Sequence, residues 1–288
     1  MLSFFFCGFI SPYKKLQKLD FPAFDWPIAS YPRLKYPLDH FSRENEQEEA
    51  RCLEEAENTV KQWNSDPTRP DIAAMIVEPV QSEGGDNHAS PSFFRELQKI
   101  CKRHQLFFVV DEVQTGVGTT GAFWAHEHWG LECPPDAVTF SKKLQAAGFF
   151  HSSEFTPQQG ARNFNTWMGD ATRLVLCREI IDEIQRNHLL ENVRVTGKYL
   201  KEGLEALERT YHPFIHSVRG MGTFLAFDLN SQREQAMLVE AMNKRGVELM
   251  GCGERSIRLR PMLNFLPKHA KMFLEILEDA LISLRKHY

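Results

Sequence analysis

The chain has 288 residues, 42% of them hydrophobic and 25% charged, enough to bury a sizeable core as one large domain or two smaller ones. A net charge of −4 and a pI near 6.3 exclude the basic footprint that neutralising duplex phosphates requires, so no nucleic-acid partner is expected. The six cysteines (Cys7, Cys52, Cys101, Cys133, Cys177, Cys252) are scattered, with no CxxC and no metal-finger spacing. They point to packing roles in a reducing compartment rather than to a disulfide framework.

The opening "MLSFFFCGFI" is apolar but too short to span a bilayer. It lacks the charged start of a signal peptide and the Arg-rich amphipathy of a transit peptide, and reads as a packed or frayed terminus, with a signal remnant as the other reading. No membrane partner is expected. From Asp20 to Pro37 prolines recur among aromatics, which fits an extended segment laid on a surface. Next, "ENEQEEARCLEEAENTVKQW" carries Leu53, Ala56, Val60 and Trp63 at helical spacing and runs into the turn "NSDPTRPD".

"IAAMIVEP" (72–79) and "LFFVVDEV" (106–113) are continuous apolar runs closed by acidic residues, as expected of parallel strands buried on both faces. Between them "SPSFFRELQKICKRH" reads as an amphipathic helix capped by Ser90 or Ser92. With "AVTFSK" as a third strand the order is β-α-β-loop-β, an α/β arrangement whose ligands bind at the carboxyl ends of strands. After Gly169 the pattern changes to helices near 170–187 and 191–211, strands "FIHSVRG" and "GTFLAFDL" about a glycine turn, a helix over 232–245, a short strand near 256–260 and a last helix over 268–285. The expected organisation is an extended segment over 1–40, an α/β domain with a mostly parallel sheet over 41–169, and a smaller α+β domain over 170–288.

Asp111 closes an apolar strand, at the lip of the core, where a carboxylate needs a cationic or hydrogen-bonding partner to stay charged. By itself "DEVQTG" reads as a turn cap. Lys142, 31 residues on and at the end of the next expected strand, changes that reading. An acid and a lysine at adjacent strand ends can bracket a pyridine ring, and pyridoxal phosphate needs a lysine amine for its Schiff base and a carboxylate on its ring nitrogen. Lys143 is then the solvent-facing lysine of the pair. His126 and His128 in "HEHW" invite a zinc reading, but HExxH needs histidines one helical turn apart and position 130 is Gly130, so no metal site is expected.

"DEVQTG" followed by "DAVTFSK" resembles the class III (fold type I) pyridoxal-phosphate aminotransferases. The strings "VEPVQSEGGDNHAS", "GAFWAHEHWGL", "TFSKK", "FNTWMGD", "VRGMGTF" and "SIRLRP" are similar to the eukaryotic branch that acts on 4-aminobutyrate, from about Lys18 to the C-terminus. The resemblance implies that 41–169 is part of the family's cofactor-binding large domain. It implies Lys142 as Schiff-base lysine and proton shuttle, Asp111 on the pyridinium nitrogen, Gln114 near the phenolic oxygen, and Thr166 on the phosphate of a neighbouring subunit's cofactor, hence a homodimer. It also implies that Glu83 and Arg258 form a switch pair, the acid neutralising the arginine while 4-aminobutyrate is bound and releasing it for 2-oxoglutarate or glutamate. Taken alone, these two read as a loop acid and a surface strand charge.

The resemblance implies a long N-terminal portion before the segment that begins here, which this sequence is not expected to contain. The glycine-serine phosphate cup, the stacking aromatic, the arginine for the distal carboxylate and the paired cysteines of an iron–sulfur site belong to it. Its absence predicts weak cofactor binding by this chain alone, because each charge-assisted hydrogen bond to phosphate contributes about 1.5–3 kcal/mol, and it predicts uncovered apolar edges. The alternatives to a 4-aminobutyrate transaminase are an impaired, shortened relative acting as a dimerising or interaction protein, and a transaminase for another ω-amino acid. The family implies the mitochondrial matrix, with the cytoplasm as alternative.

Overall fold

The computed structural model describes residues 25–162, 164 and 169–285; the apolar opening and the start of the proline-rich segment lie outside the described residues. Residues 25–35 carry no regular secondary structure but are anchored. The Tyr31 ring meets Phe93 edge-on at 6.0 Å, its hydroxyl donates to the Pro79 carbonyl at 3.0 Å, and Asn45 bonds both the N–H and the carbonyl of Lys35.

Helix α1 (Ser42–Asn64) buries Cys52, Ala56 and Val60, four residues apart, as the helical period requires. Helix α2 (Pro91–Arg103) starts at Ser90, whose hydroxyl accepts the Phe93 N–H, and Glu49 of α1 accepts from both the N–H and the hydroxyl of Ser90 at 2.6 Å. Against these helices pack β1 (Ala74–Val77) and β2 (Phe107–Asp111). The apolar runs form parallel strands as expected, with β3 (Ala137–Phe140) parallel on the far side of β2.

A fourth strand, β4 (Gly148–His151), which the sequence reading did not include, pairs antiparallel with β3 and closes the order β1-β2-β3-β4. Phe149 and Phe150 on this edge strand are exposed.

Helix α3 (Ala171–Arg186) begins at Asp170, whose carboxylate accepts the N–H groups of Thr172 and Arg173. Helix α4 (Leu189–Tyr211) follows, then β5 (Ile215–Met221), β6 (Phe224–Leu229), α5 (Gln232–Asn243), β7 (Met250–Cys252), β8 (Ser256–Leu259) and α6 (Pro267–Arg285). The second sheet is antiparallel, ordered β5-β6-β8-β7. Its apolar face packs on α4, α5 and α6 around Leu200, Leu204, Phe227, Leu238, Ile257 and Leu277.

The turn between β5 and β6 sits close against α4. Gly222 has φ +56°, and a Cβ on Gly197 of α4 would lie 2.2 Å from the Gly222 carbonyl oxygen. Beyond that turn Thr223 N–H donates to the Thr119 carbonyl at 3.0 Å, which fixes the second sheet to the loop after β2. Among the described residues no helix is long and apolar enough to cross a membrane.

Candidate functional site

Three parallel strands end side by side. Glu78 follows β1, Asp111 closes β2 and Lys142 lies two residues beyond β3. The register Val77↔Val110 carries on to set Glu78 beside Asp111, and Asp111 is itself paired with Thr139. Such strand ends are where open α/β sheets bind ligands, because the main-chain pairing stops there and side chains converge.

Asp111 is held by one oxygen. Its Oδ1 accepts the Val113 N–H at 3.0 Å and the Thr139 hydroxyl at 2.9 Å, and no described residue donates to Oδ2. Burial pushes the Glu78 carboxyl up to about 7; the Asp111 charge adds to the rise, while the Ser82 N–H and the Lys142 charge oppose it. Glu78, Asp111, Lys142 and Glu83 therefore share one electrostatic neighbourhood.

Lys142 is exposed and adopts φ +50°. Lys143 is not solvent-facing, contrary to the sequence expectation. The left-handed turn at Lys142 sends the next side chain inward, where Lys143 Nζ donates to the Gln114 carbonyl at 2.5 Å. Burial, helped by the Lys142 and Arg260 charges, lowers its ammonium to about 8. The twin lysines thus divide, one held under the loop and one available.

The side chain of Gln114 accepts from Arg260 Nε at 3.2 Å, and Arg260 Nη2 pairs with Asp86 at 2.5 Å. On β8, Arg258 Nη1 meets Glu83 Oε1 at 2.5 Å across 175 residues of sequence. Burial works against the Arg258 charge, but its hydrogen bond to Glu83 more than offsets this and the guanidinium is held above its ordinary range. The structure thus brings together Asp111, Gln114 and Lys142 at the strand ends and pairs Glu83 with Arg258. Thr166 lies outside the described residues.

The loop carrying Glu83 is fixed by a residue that sequence reading did not single out. Arg219 of β5, 4% exposed, donates to the carbonyls of Gly85 and Asp86 at 2.6 and 2.9 Å, to Asp228 at 2.7 Å and to the Ser256 hydroxyl at 2.9 Å. Glu78 had a readable signal, an acid ending an apolar strand. Arg219, Arg260 and Asp86 had none, since their pairing joins segments more than 130 residues apart.

The histidines of "HEHW" are engaged elsewhere. Buried Glu112 accepts from the His126 N–H at 2.8 Å and from the Thr115 hydroxyl at 2.6 Å, and its Oε1 lies 2.9 Å from His126 Nδ1. His128 Nε2 lies 3.3 Å from the Thr120 hydroxyl. Among the described residues no three His, Cys, Asp or Glu side chains are grouped to hold a metal ion.

The chain is similar to known proteins along most of its length. The family Aminotransferase class-III matches residues 10–281. The chain is 50% identical over 274 residues to the 4-aminobutyrate aminotransferase of Dictyostelium discoideum, covering 95% of this chain and 54% of that protein. It is 51% identical over 272 residues to the mitochondrial 4-aminobutyrate aminotransferases of Sus scrofa and Homo sapiens, covering 94% of this chain and 54% of each relative. The chain therefore spans about half the length of these relatives. Among solved structures, the lysine aminotransferase from M. tuberculosis in the internal aldimine form superposes with a TM-score of 0.84 at 30% identity, covering 94% of this chain and 61% of that one.

Proposed function

The chain belongs to the class-III aminotransferase family, and on that premise we propose that it serves the pyridoxal-phosphate-dependent transamination of 4-aminobutyrate with 2-oxoglutarate, giving succinate semialdehyde and glutamate. The observation that carries the reading is the arrangement of Asp111 and Lys142 at the ends of adjacent parallel strands, with Gln114 on the loop between them. An exposed amine, a carboxylate with one open oxygen and a fixed amide suit a pyridine ring bearing an aldehyde and a neighbouring hydroxyl. Pyridoxal phosphate, when bound, supplies an electron sink for the bonds at the substrate's amine-bearing carbon.

The chain's own residues then have distinct tasks. With the cofactor bound, Lys142 would be the residue that holds its aldehyde carbon and would carry a proton to and from the substrate's amine-bearing carbon. Asp111 Oδ2 keeps the ring nitrogen protonated, its other oxygen being engaged by Val113 and Thr139. The Arg258–Glu83 pair supports a carboxylate switch: closed for 4-aminobutyrate, which has no second acid near its amine, and opened by 2-oxoglutarate or glutamate.

The reading takes Thr166 as the residue a neighbouring subunit would use on the phosphate, and so takes a homodimer. Exposed Phe149, Phe150, Leu174 and Val175 support burial against a second copy. It takes the mitochondrial matrix as the compartment, after the Sus scrofa and Homo sapiens relatives, with the cytoplasm as alternative.

Purified chain mixed with pyridoxal phosphate should gain the visible absorbance of a lysine-linked cofactor, and Lys142→Ala should abolish it. No absorbance in the wild type, or the same absorbance in the variant, would sink the assignment. Comparing rates on 4-aminobutyrate, β-alanine and ornithine then separates this substrate from other ω-amino acids.

A further inference from the structure

Gln114 is gripped at both its main chain and its side chain by cations from different parts of the chain. Lys143 Nζ holds its carbonyl and Arg260 Nε holds its Oε1. Arg260 is itself immobilised: Nη2 on Asp86 Oδ1, Nη1 on the Leu259 carbonyl at 2.8 Å, and its guanidinium 3.2 Å from the centroid of the Phe224 ring. Asp86, at the far end of this chain of contacts, is fully buried, and burial pushes its carboxyl up while Arg260, Arg219 and Arg258 pull it down.

A guanidinium carries only donors. The amide of Gln114 can therefore meet Arg260 only through its oxygen, and the group left to a ligand is the –NH2. Without Arg260 the amide would be free to turn its oxygen outward, where it would repel any electron-rich oxygen brought to the site.

We propose that Arg260 is a positioning residue for the cofactor: anchored on Asp86, it selects the orientation of Gln114 in which an N–H donor faces the phenolic oxygen of bound pyridoxal phosphate. This rests on the functional reading above. A donor on that oxygen stabilises its negatively charged form. It thereby tunes the pH at which the bound cofactor changes colour, which packing alone does not.

The test compares wild type, Gln114→Leu, Arg260→Lys and the double variant, all full chain and loaded with pyridoxal phosphate. Arg260→Lys keeps a cation for Asp86 but loses the planar fork that reaches two partners at once. Each single variant should shift the pH of the spectral change in the same direction and weaken cofactor binding by about 3- to 10-fold, the yield of one hydrogen bond. The double variant should do no more than the larger single one, as expected of residues acting in series. A normal spectral titration in Arg260→Lys beside a shifted one in Gln114→Leu, or additive shifts in the double, overturns the proposal and leaves the cofactor assignment standing.

No cofactor absorbance in the wild-type chain overturns the functional reading and with it the cofactor role of Arg260. The orienting contact is read separately in ligand-free protein. The side-chain amide NMR signals of Gln114 should move toward those of a free amide in Arg260→Lys, and unmoved signals refute the contact.

Discussion

Lys143 turns its ammonium under the loop onto the Gln114 carbonyl, while Lys142, one residue earlier in the same turn, stays exposed. Two identical side chains thus meet different surroundings. For Lys143 the folded value of about 8 lies below the ordinary 10.5. The folded state therefore binds fewer protons than the unfolded state between those values, and stability should rise with pH across roughly pH 8 to 10.5. Its contribution is complete above the upper value and lost as pH falls through the lower. Lys143→Met should flatten that segment of a melting-temperature profile, and an unchanged profile would contradict the burial of this ammonium.

Glu78 and His88 predict opposite slopes on the acid side. Glu78 rises from 4.5 to about 7 through burial first and the Asp111 charge second. The folded state holds its proton longer, so this contribution is full below about 4.5 and lost as pH climbs through 7. Burial, with the Arg219, Arg260 and Lys201 charges, drives His88 down from 6.5 to about 3. Its contribution is present above 6.5 and lost as pH falls toward 3. Chemical denaturation from pH 3 to 8 should show Glu78→Gln gaining stability near neutrality relative to wild type and His88→Gln losing less than wild type in acid; matching profiles would refute both assignments.

Arg219→Ala should be among the most damaging single changes. It leaves Asp228 without its buried partner and strips donors from two carbonyls of the 84–86 turn and from Ser256. Breaking one side of a buried charge pair costs about 3–5 kcal/mol. Arg255, the other cation near Asp228, is half exposed and 3.9 Å away, too weakly placed to compensate. A urea midpoint within experimental error of wild type would contradict this.

Gly197→Ala tests the contact between α4 and the β5–β6 turn. Alanine ordinarily stabilises a helix interior relative to glycine by about 1 kcal/mol. Here the new methyl would overlap the main chain of Gly222, which itself abuts Thr119 and Thr120. Overpacking of this kind costs about 1–3 kcal/mol, so the expected sign is reversed and the melting temperature should drop.

Glu83→Ala should unbalance the two halves of the proposed reaction. With its partner gone, Arg258 stays available as a carboxylate clamp, so single-turnover rates with 4-aminobutyrate should fall more than those with glutamate. Equal losses in both would argue against a switch at this pair.

Much of the scaffold was legible because it is written locally. Continuous apolar runs closed by acids marked β1 and β2, helical spacing marked α1, and the expected ranges for α4 and α6 fall within about two residues of those observed. The strand β4 escaped because "GFFH" is a short antiparallel edge with no alternation of its own, and β7 because "MGC" is three residues with a glycine at its centre. Asp111 and Lys142 could be read from their positions at strand ends. Which lysine of the pair goes inward could not, because it depends on one left-handed backbone angle at Lys142. The hold of Arg219, Arg260 and Asp86 on the site loop depends on chain segments brought together only by the fold.

The buried guanidinium of Arg219 also ties together the melting of the molecule. Its acceptors lie on the 85–86 turn beyond the first sheet and on β5, β6 and β8 of the second, so pulling the two sheets apart takes two carbonyls away from the guanidinium. That shared grip couples the opening of one sheet to the loosening of the other.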